Sequence, residues 1–173
     1  MVQSQQPIAL LVPLLVGIFM TLCTLLCHSA AGTTIARLLQ RRFLRGSVGR
    51  RQIQDMPILF AILTMLLTAH LVEMALWAAA FVILGEFNAF ATAFYHSCVN
   101  YTTLGYGDII MAPRWRLLGP LEAVDGMLMF GISTALFFAI VQRFVQWHLR
   151  PAGGGRTWLD SESRPFAYAD PEK

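Results

Sequence analysis

The sequence predicts an all-α membrane protein, with three helices that cross the bilayer and a short re-entrant helix between the second and third. Of its 173 residues 56% are hydrophobic and only 13% are charged, against the ~25% charged share of a soluble domain. Mean hydropathy is clearly positive, at +0.57. The deficit in charge is also localised, since none of the 13 Lys and Arg residues lies in 1–36 or 57–113. The net charge of +3 therefore reflects where arginines are grouped and carries no nucleic-acid signal.

The first crossing, in segment 1–28, is Pro7 to His28: 22 residues without formal charge, where a helical crossing needs about 20. Ser29-Ala30-Ala31-Gly32 has the small residues of a signal-peptide cleavage site. Met1–Gln6 lacks the positive charge of such a peptide, and the apolar run exceeds its usual ~7–15 residues, so the reading is a retained span. Segment 29–56 is a basic connection holding Arg37, Arg41, Arg42, Arg45, Arg50 and Arg51 against Asp55. Ile35, Leu38, Leu39 and Phe43 recur there at helical spacing. Apolar periodicity among arginines predicts a helix on the anionic inner leaflet, with Arg37, Arg41, Arg42 and Arg45 facing lipid headgroups. A solvated basic loop is the alternative.

Residues 57–146 read as one membrane module. Pro57 to Leu84 is the second crossing, with Pro57 expected in the first turn, where its missing N–H is not needed. The third, Leu117 to Val141, carries Glu122 and Asp125 near its start. Between them Glu86 to Asn100 is too short to cross and return, and a helix from about Asn88 to Tyr101 is expected there. The tail 147–173, rich in Gly, Pro and charge, reads as flexible. Segment 29–55 and the tail from Arg143 hold most of the basic residues, whereas 85–116 holds only Arg114 and Arg116, balanced by Glu86 and Asp108. Positive-inside topology then puts the N-terminus and the re-entrant loop outside and the C-terminus in the cytoplasm of a multi-pass cell-membrane protein. Cys23, Cys27 and Cys98 suggest no disulfide framework.

The chemistry concentrates in Thr102-Thr103-Leu104-Gly105-Tyr106-Gly107-Asp108. A potassium ion leaves water at little cost only where rings of backbone carbonyls replace its hydration shell, with one strand from each of four chains. An ordinary extended strand alternates its carbonyls and cannot aim them all at one axis. Gly105 and Gly107 relieve that constraint because glycine accepts positive φ. Thr103 adds a hydroxyl at the inner end, and Tyr106 is expected to turn its ring away from the ions as a packing spacer.

This stretch resembles the signature of potassium channels with a two-helix pore, and the resemblance extends over roughly 57–146. It implies a homotetramer whose K+ sites are lined by Thr103, Leu104, Gly105 and Tyr106, with Gly107 completing the filter, and no organic cofactor. Leu104 departs mildly from the usual Val or Ile. Thr102, Asp108, Tyr95, His96 and Val99 fall where that family supports its filter. Many relatives have tryptophans where this chain has Tyr95 and His96. Some have a carboxylate at the position of Val99, so Asp108 needs another partner. Phe87, Phe90, Phe94, Tyr95 and Tyr101 are expected to wedge the pore helix in place. Asn100-Tyr101-Thr102 is formally a glycosylation sequon, but a position beside the filter is out of reach of the modifying enzyme. Phe130-Gly131-Ile132-Ser133-Thr134 resembles the family's hinge region. Gly131 suits either bending or close helix packing, and Ala135 and Ala139 suit the wall of the inner vestibule.

Glu73 lies midway along the second span, with His70 three residues earlier on the same face. Asp125 lies at similar depth in the third. A polar cluster of His70, Glu73 and Asp125 is expected behind the pore helix, as a proton-sensitive site or as a neutral packing contact. His70 and Glu73 fit no zinc-protease spacing, and no nucleophile–base pair is apparent, so an enzyme is not expected. Regularly spaced arginines of a voltage sensor are also missing. A less selective cation channel and a non-conducting adaptor are the alternatives.

Overall fold

The computed structural model describes residues 10–44 and 52–148. They form four helices, α1 (Leu11–Leu44), α2 (Gln52–Ile83), α3 (Phe90–Tyr101) and α4 (Leu118–His148), and no strand occurs among the described residues. Leu11–Arg42, Met56–Ile83 and Leu118–Gln146 are long and apolar enough to cross a membrane. In α3 only 12 residues are helical, or about 18 Å at 1.5 Å per residue, too short for a crossing. α1 and α3 each pack against both α2 and α4, so those two helices form the central pair.

Between lipid-facing helices, apolar burial drives little association, and close packing and buried hydrogen bonds take its place. Two clusters supply the packing. One surrounds α3: Met74, Trp77, Ala78 and Phe81 of α2 meet Ala93 and Tyr101 of α3 and Leu118 and Met129 of α4. Trp77 and Phe81 are fully buried there, their rings 5.8 Å apart. The other lies toward the basic end, where Ile35 of α1 meets Ile62 and Leu66 of α2 and Ile140 and Phe144 of α4.

Four expectations change. The boundary at 28/29 falls inside α1, which continues unbroken to Leu44. Its 34 residues span about 50 Å, longer than the ~40–45 Å of a bilayer with its headgroups, so the basic end can extend past the apolar core. The separate interfacial helix is replaced by this extension. Ile35 is buried against α2 and α4 and Leu39 packs beside it, while Leu38, Arg37, Arg41 and Arg42 stay exposed, so only part of the apolar stripe serves helix packing. Arg45, Arg50, Arg51 and the tail from Pro151 lie outside the described residues. Pro57 sits inside α2, since the helix begins five residues earlier at Gln52. The re-entrant helix begins at Phe90, two residues after the expected start.

Candidate functional site

The end of α3 folds back on itself. Thr102 N–H bonds to the Cys98 carbonyl at 3.2 Å and Thr103 N–H to that of Asn100 at 2.8 Å. The Val99 carbonyl accepts from both Leu104 and Gly105, at 2.9 and 3.2 Å. These bonds tether the first half of the 102–108 stretch to the C-terminal, electronegative end of the helix. Beyond it the sign of φ alternates. Thr103, Gly105 and Gly107 have φ of 60°, 58° and 72°, whereas Leu104 and Tyr106 are not in the positive region. Positive φ costs glycine little, but for β-branched Thr103 it stores strain of about 1–3 kcal/mol. The stretch 102–108 is exposed on the single chain, Leu104 by 53% and Tyr106 by 67%. Tyr106 thus has no packing surface within its own chain that could make it a spacer.

Behind the stretch, Tyr95 donates its hydroxyl hydrogen to Asp108 at 2.8 Å, which answers the question left by Val99. That bond also holds the Tyr95 phenol above its usual pKa range. His96 is buried between Phe81 and Phe87, with ring centroids 5.6 and 5.1 Å away. Burial pushes its imidazole below its usual pKa, against the opposing pull of Asp108 and Glu86. Asn100 donates to His96 Nε2 at 2.9 Å and reaches Glu122 at 3.3 Å. Fully buried Glu122 of α4 also bonds the Ser97 hydroxyl, which lies 2.8 Å from the Met74 carbonyl. Of the aromatic residues expected to wedge α3, Tyr101 is buried and Phe87 and Phe94 pack against the core, but Phe90 and Tyr95 are exposed.

The expected cluster divides in two. His70 Nδ1 lies 3.2 Å from Glu73 Oε2, and His28 Nδ1 of α1 lies 2.8 Å from Glu73 Oε1. Tyr101 donates its hydroxyl hydrogen to Glu73, and Ser133 Oγ of α4 stands 3.1 and 3.0 Å from the Nε2 atoms of His28 and His70. Asp125 belongs to a neighbouring network, where it accepts from Trp77 Nε1 at 2.8 Å and from the Thr24 hydroxyl at 2.8 Å. Depth along the spans placed Asp125 near Glu73, but helix rotation gave each carboxylate its own donors. The sequence pattern does not bring in His28, Ser133, Thr24 and Trp77: His28 and Thr24 come from α1, Ser133 stands on α4 away from Glu73, and Trp77 on α2 meets Asp125 of α4. Comparing depths of all polar residues in the three spans, His28 at the end of the first included, would have suggested them.

Two glycines of α4 differ. A Cβ at Gly126 would overlap the Tyr101 carbonyl oxygen, so α4 touches the end of α3 at backbone level. A Cβ at Gly131 would meet nothing within 4 Å, so close packing within the chain does not require a glycine there.

Residues 58–143 match a family model described as Ion channel, which covers nearly all of α2, all of α3 and most of α4. The match indicates an ion channel, and the three apolar helices agree with a membrane protein. No curated protein and no solved structure matches the chain.

Proposed function

We propose that the ion-channel domain at 58–143 conducts potassium selectively, as one of four identical subunits around a central axis. The observation that carries this reading is the alternating sign of φ at Thr103, Gly105 and Gly107. Alternation turns successive carbonyls toward one side of the strand, the geometry a dehydrated cation needs. Thr103, Leu104, Gly105 and Tyr106 supply the carbonyl oxygens in this reading and Gly107 ends the filter. The ion exchanges water for those oxygens, and neighbouring ions repel each other along the row, so binding does not become a trap. The exposed Leu104 and Tyr106 side chains support a tetramer, because adjacent copies supply the surfaces they lack within one chain.

The C-terminal end of α3 faces the filter's inner end, and its partial negative charge favours a cation there. Thr102, Val99, Tyr95, His96 and Asp108 hold the strand from behind, and Gly131 is the bending point of α4. Arg37, Arg41 and Arg42 lie at the end of the bundle that also carries Arg143, and positive-inside logic puts that end in the cytoplasm.

The test is potassium against sodium flux into liposomes bearing the purified protein, beside Gly105→Ala. Potassium-selective flux that the substitution abolishes is expected. Equal flux of both ions would refute selectivity, and wild-type flux in the variant would refute the filter assignment.

A further inference from the structure

We propose that His28, His70 and Glu73 bind one divalent transition-metal ion of the zinc type, a site separate from ion conduction and independent of the potassium reading. The three residues are buried at 2%, 6% and 0% exposure, and one ligand atom from each lies within 4.8 Å of the others.

The hydrogen count is the first argument. Glu73 meets His28, His70 and Tyr101, and Ser133 Oγ meets the second nitrogen of both rings, five contacts beside a longer one of 3.3 Å between His70 Nδ1 and the Tyr101 oxygen. With neutral imidazoles and an ionised Glu73, the hydrogens available are one per ring, one on Tyr101 and one on Ser133. Five contacts then share four hydrogens, and one pair of acceptors faces each other in a buried site. A cation held by the two Nδ1 atoms and the Glu73 carboxylate removes that conflict. Both rings then carry their hydrogen on Nε2, and both donate to the two lone pairs of Ser133. Such outer contacts fix the rings of a metal-binding histidine pair.

Spacing is the second. Bonds of about 2.0–2.1 Å at tetrahedral angles put ligand atoms roughly 3.3 Å apart. His70 Nδ1 is 3.2 Å from Glu73 Oε2 and 3.3 Å from the Tyr101 oxygen, and His28 Nδ1 is 2.8 Å from Oε1. Tyr101 keeps its hydrogen bond to Glu73 and orients that carboxylate from outside the ligand set. Two imidazoles with carboxylate oxygen suit zinc better than calcium or magnesium, which prefer all-oxygen shells. Glu73, with Asp125 in the adjoining network, offsets the charge of a divalent ion.

The experiment uses untagged, full-length protein in detergent, stripped with a chelator and then given Zn2+ or, as a spectroscopic probe, Co2+. About one ion per chain by elemental analysis, the visible bands of tetrahedral Co2+, and a raised melting temperature with Zn2+ are expected. His28→Asn and Glu73→Gln should lose all three, while Cys23→Ser, on α1 outside the cluster, keeps them. Ser133→Ala removes no ligand and should weaken affinity about 10–100-fold, a readout that survives if the ligand variants fail to assemble. No uptake by the wild type, uptake unchanged in His28→Asn, or affinity unchanged in Ser133→Ala would each overturn the proposal. A wild type that takes up protons on acidification but no metal would likewise overturn it, by assigning the missing positive charge to an imidazolium.

Discussion

Substituting alanine at two glycines of α4, five residues apart, should give opposite results. At Gly126 the new Cβ would overlap the Tyr101 carbonyl oxygen and stand 2.9 Å from its carbonyl carbon. Carbon atoms in contact prefer about 3.5–4.0 Å, so even the second clash is some 0.6 Å too close. The obstacle is backbone at the end of α3, immediately before Thr102, and no side-chain rotation relieves it. Either α4 retreats or the end of α3 moves and takes the Val99 carbonyl, with its bonds to Leu104 and Gly105, out of register. Overpacking of this kind costs about 1–3 kcal/mol, and the rigid neighbour argues for the upper end. At Gly131 the new methyl meets nothing, and alanine improves helix propensity by up to about 1 kcal/mol. Thermal denaturation of the purified protein and single-channel recording in planar bilayers separate the two. Gly126→Ala should melt earlier and lose potassium conduction. Gly131→Ala should keep or raise the melting temperature and spend less time open. A Gly126→Ala protein with wild-type melting and conduction would falsify the close approach of α3 and α4, and unchanged open probability in Gly131→Ala would remove the hinge.

Three further outcomes follow from the networks. Tyr95→Phe deletes the hydroxyl that bonds Asp108; at this exposed position the thermal stability should change little, and sustained currents should decay faster with selectivity kept. Identical decay in macroscopic recordings would show that the bond does not brace the filter. Glu122→Ala removes the acceptor that Ser97 and Asn100 share, leaving them the Met74 carbonyl and His96 Nε2, and opens a void, costing about 2 kcal/mol, to be read as a lower melting temperature of the purified protein. Trp77→Phe keeps the ring packing but takes the N–H from Asp125, at about 2 kcal/mol. A melting temperature equal to wild type in either variant would contradict the assigned bond.

How much of this was legible in sequence depended on the range of the interaction. The three spans, the short α3 and the positive φ at Gly105 and Gly107 follow from local composition and from what glycine permits, and all could be read directly. The end of α1 could not. Ile35 and its neighbouring arginines have the pattern of an interfacial helix, and only the presence of Ile62, Leu66, Ile140 and Phe144 opposite Ile35 turns that pattern into helix packing. Asp125 was misassigned for a related reason. Depth in the membrane can be counted along a helix, but rotation about its axis is set by contacts such as Gly126 against Tyr101. Glu122 had no visible role, because its donors, Ser97 and Asn100, lie on another helix. The partner that Asp108 needs in place of a carboxylate at position 99 is the Tyr95 hydroxyl.

The same reasoning gives α1 a purpose that the sequence did not. Glu73 and Asp125 lie within spans α2 and α4, where an unmet charge is expensive. Each has one of its polar partners on α1, His28 Nδ1 beside Glu73 and the Thr24 hydroxyl donating to Asp125. The remaining donors, His70, Tyr101 and Trp77, come from α2 and α3. Removing α1 would leave both carboxylates short of a donor on the side it covers, with lipid in its place, at a cost of several kcal/mol. A chain of α2, α3 and α4 alone should therefore assemble poorly even though the 102–108 stretch and its contacts with α3 are intact. Restoring function should require α1 with His28 and Thr24, supplied in the same chain or as a separate peptide. If the shortened chain formed tetramers as stable as the complete one, the carboxylates would have to be satisfied in some other way, and α1 would be only an outer brace.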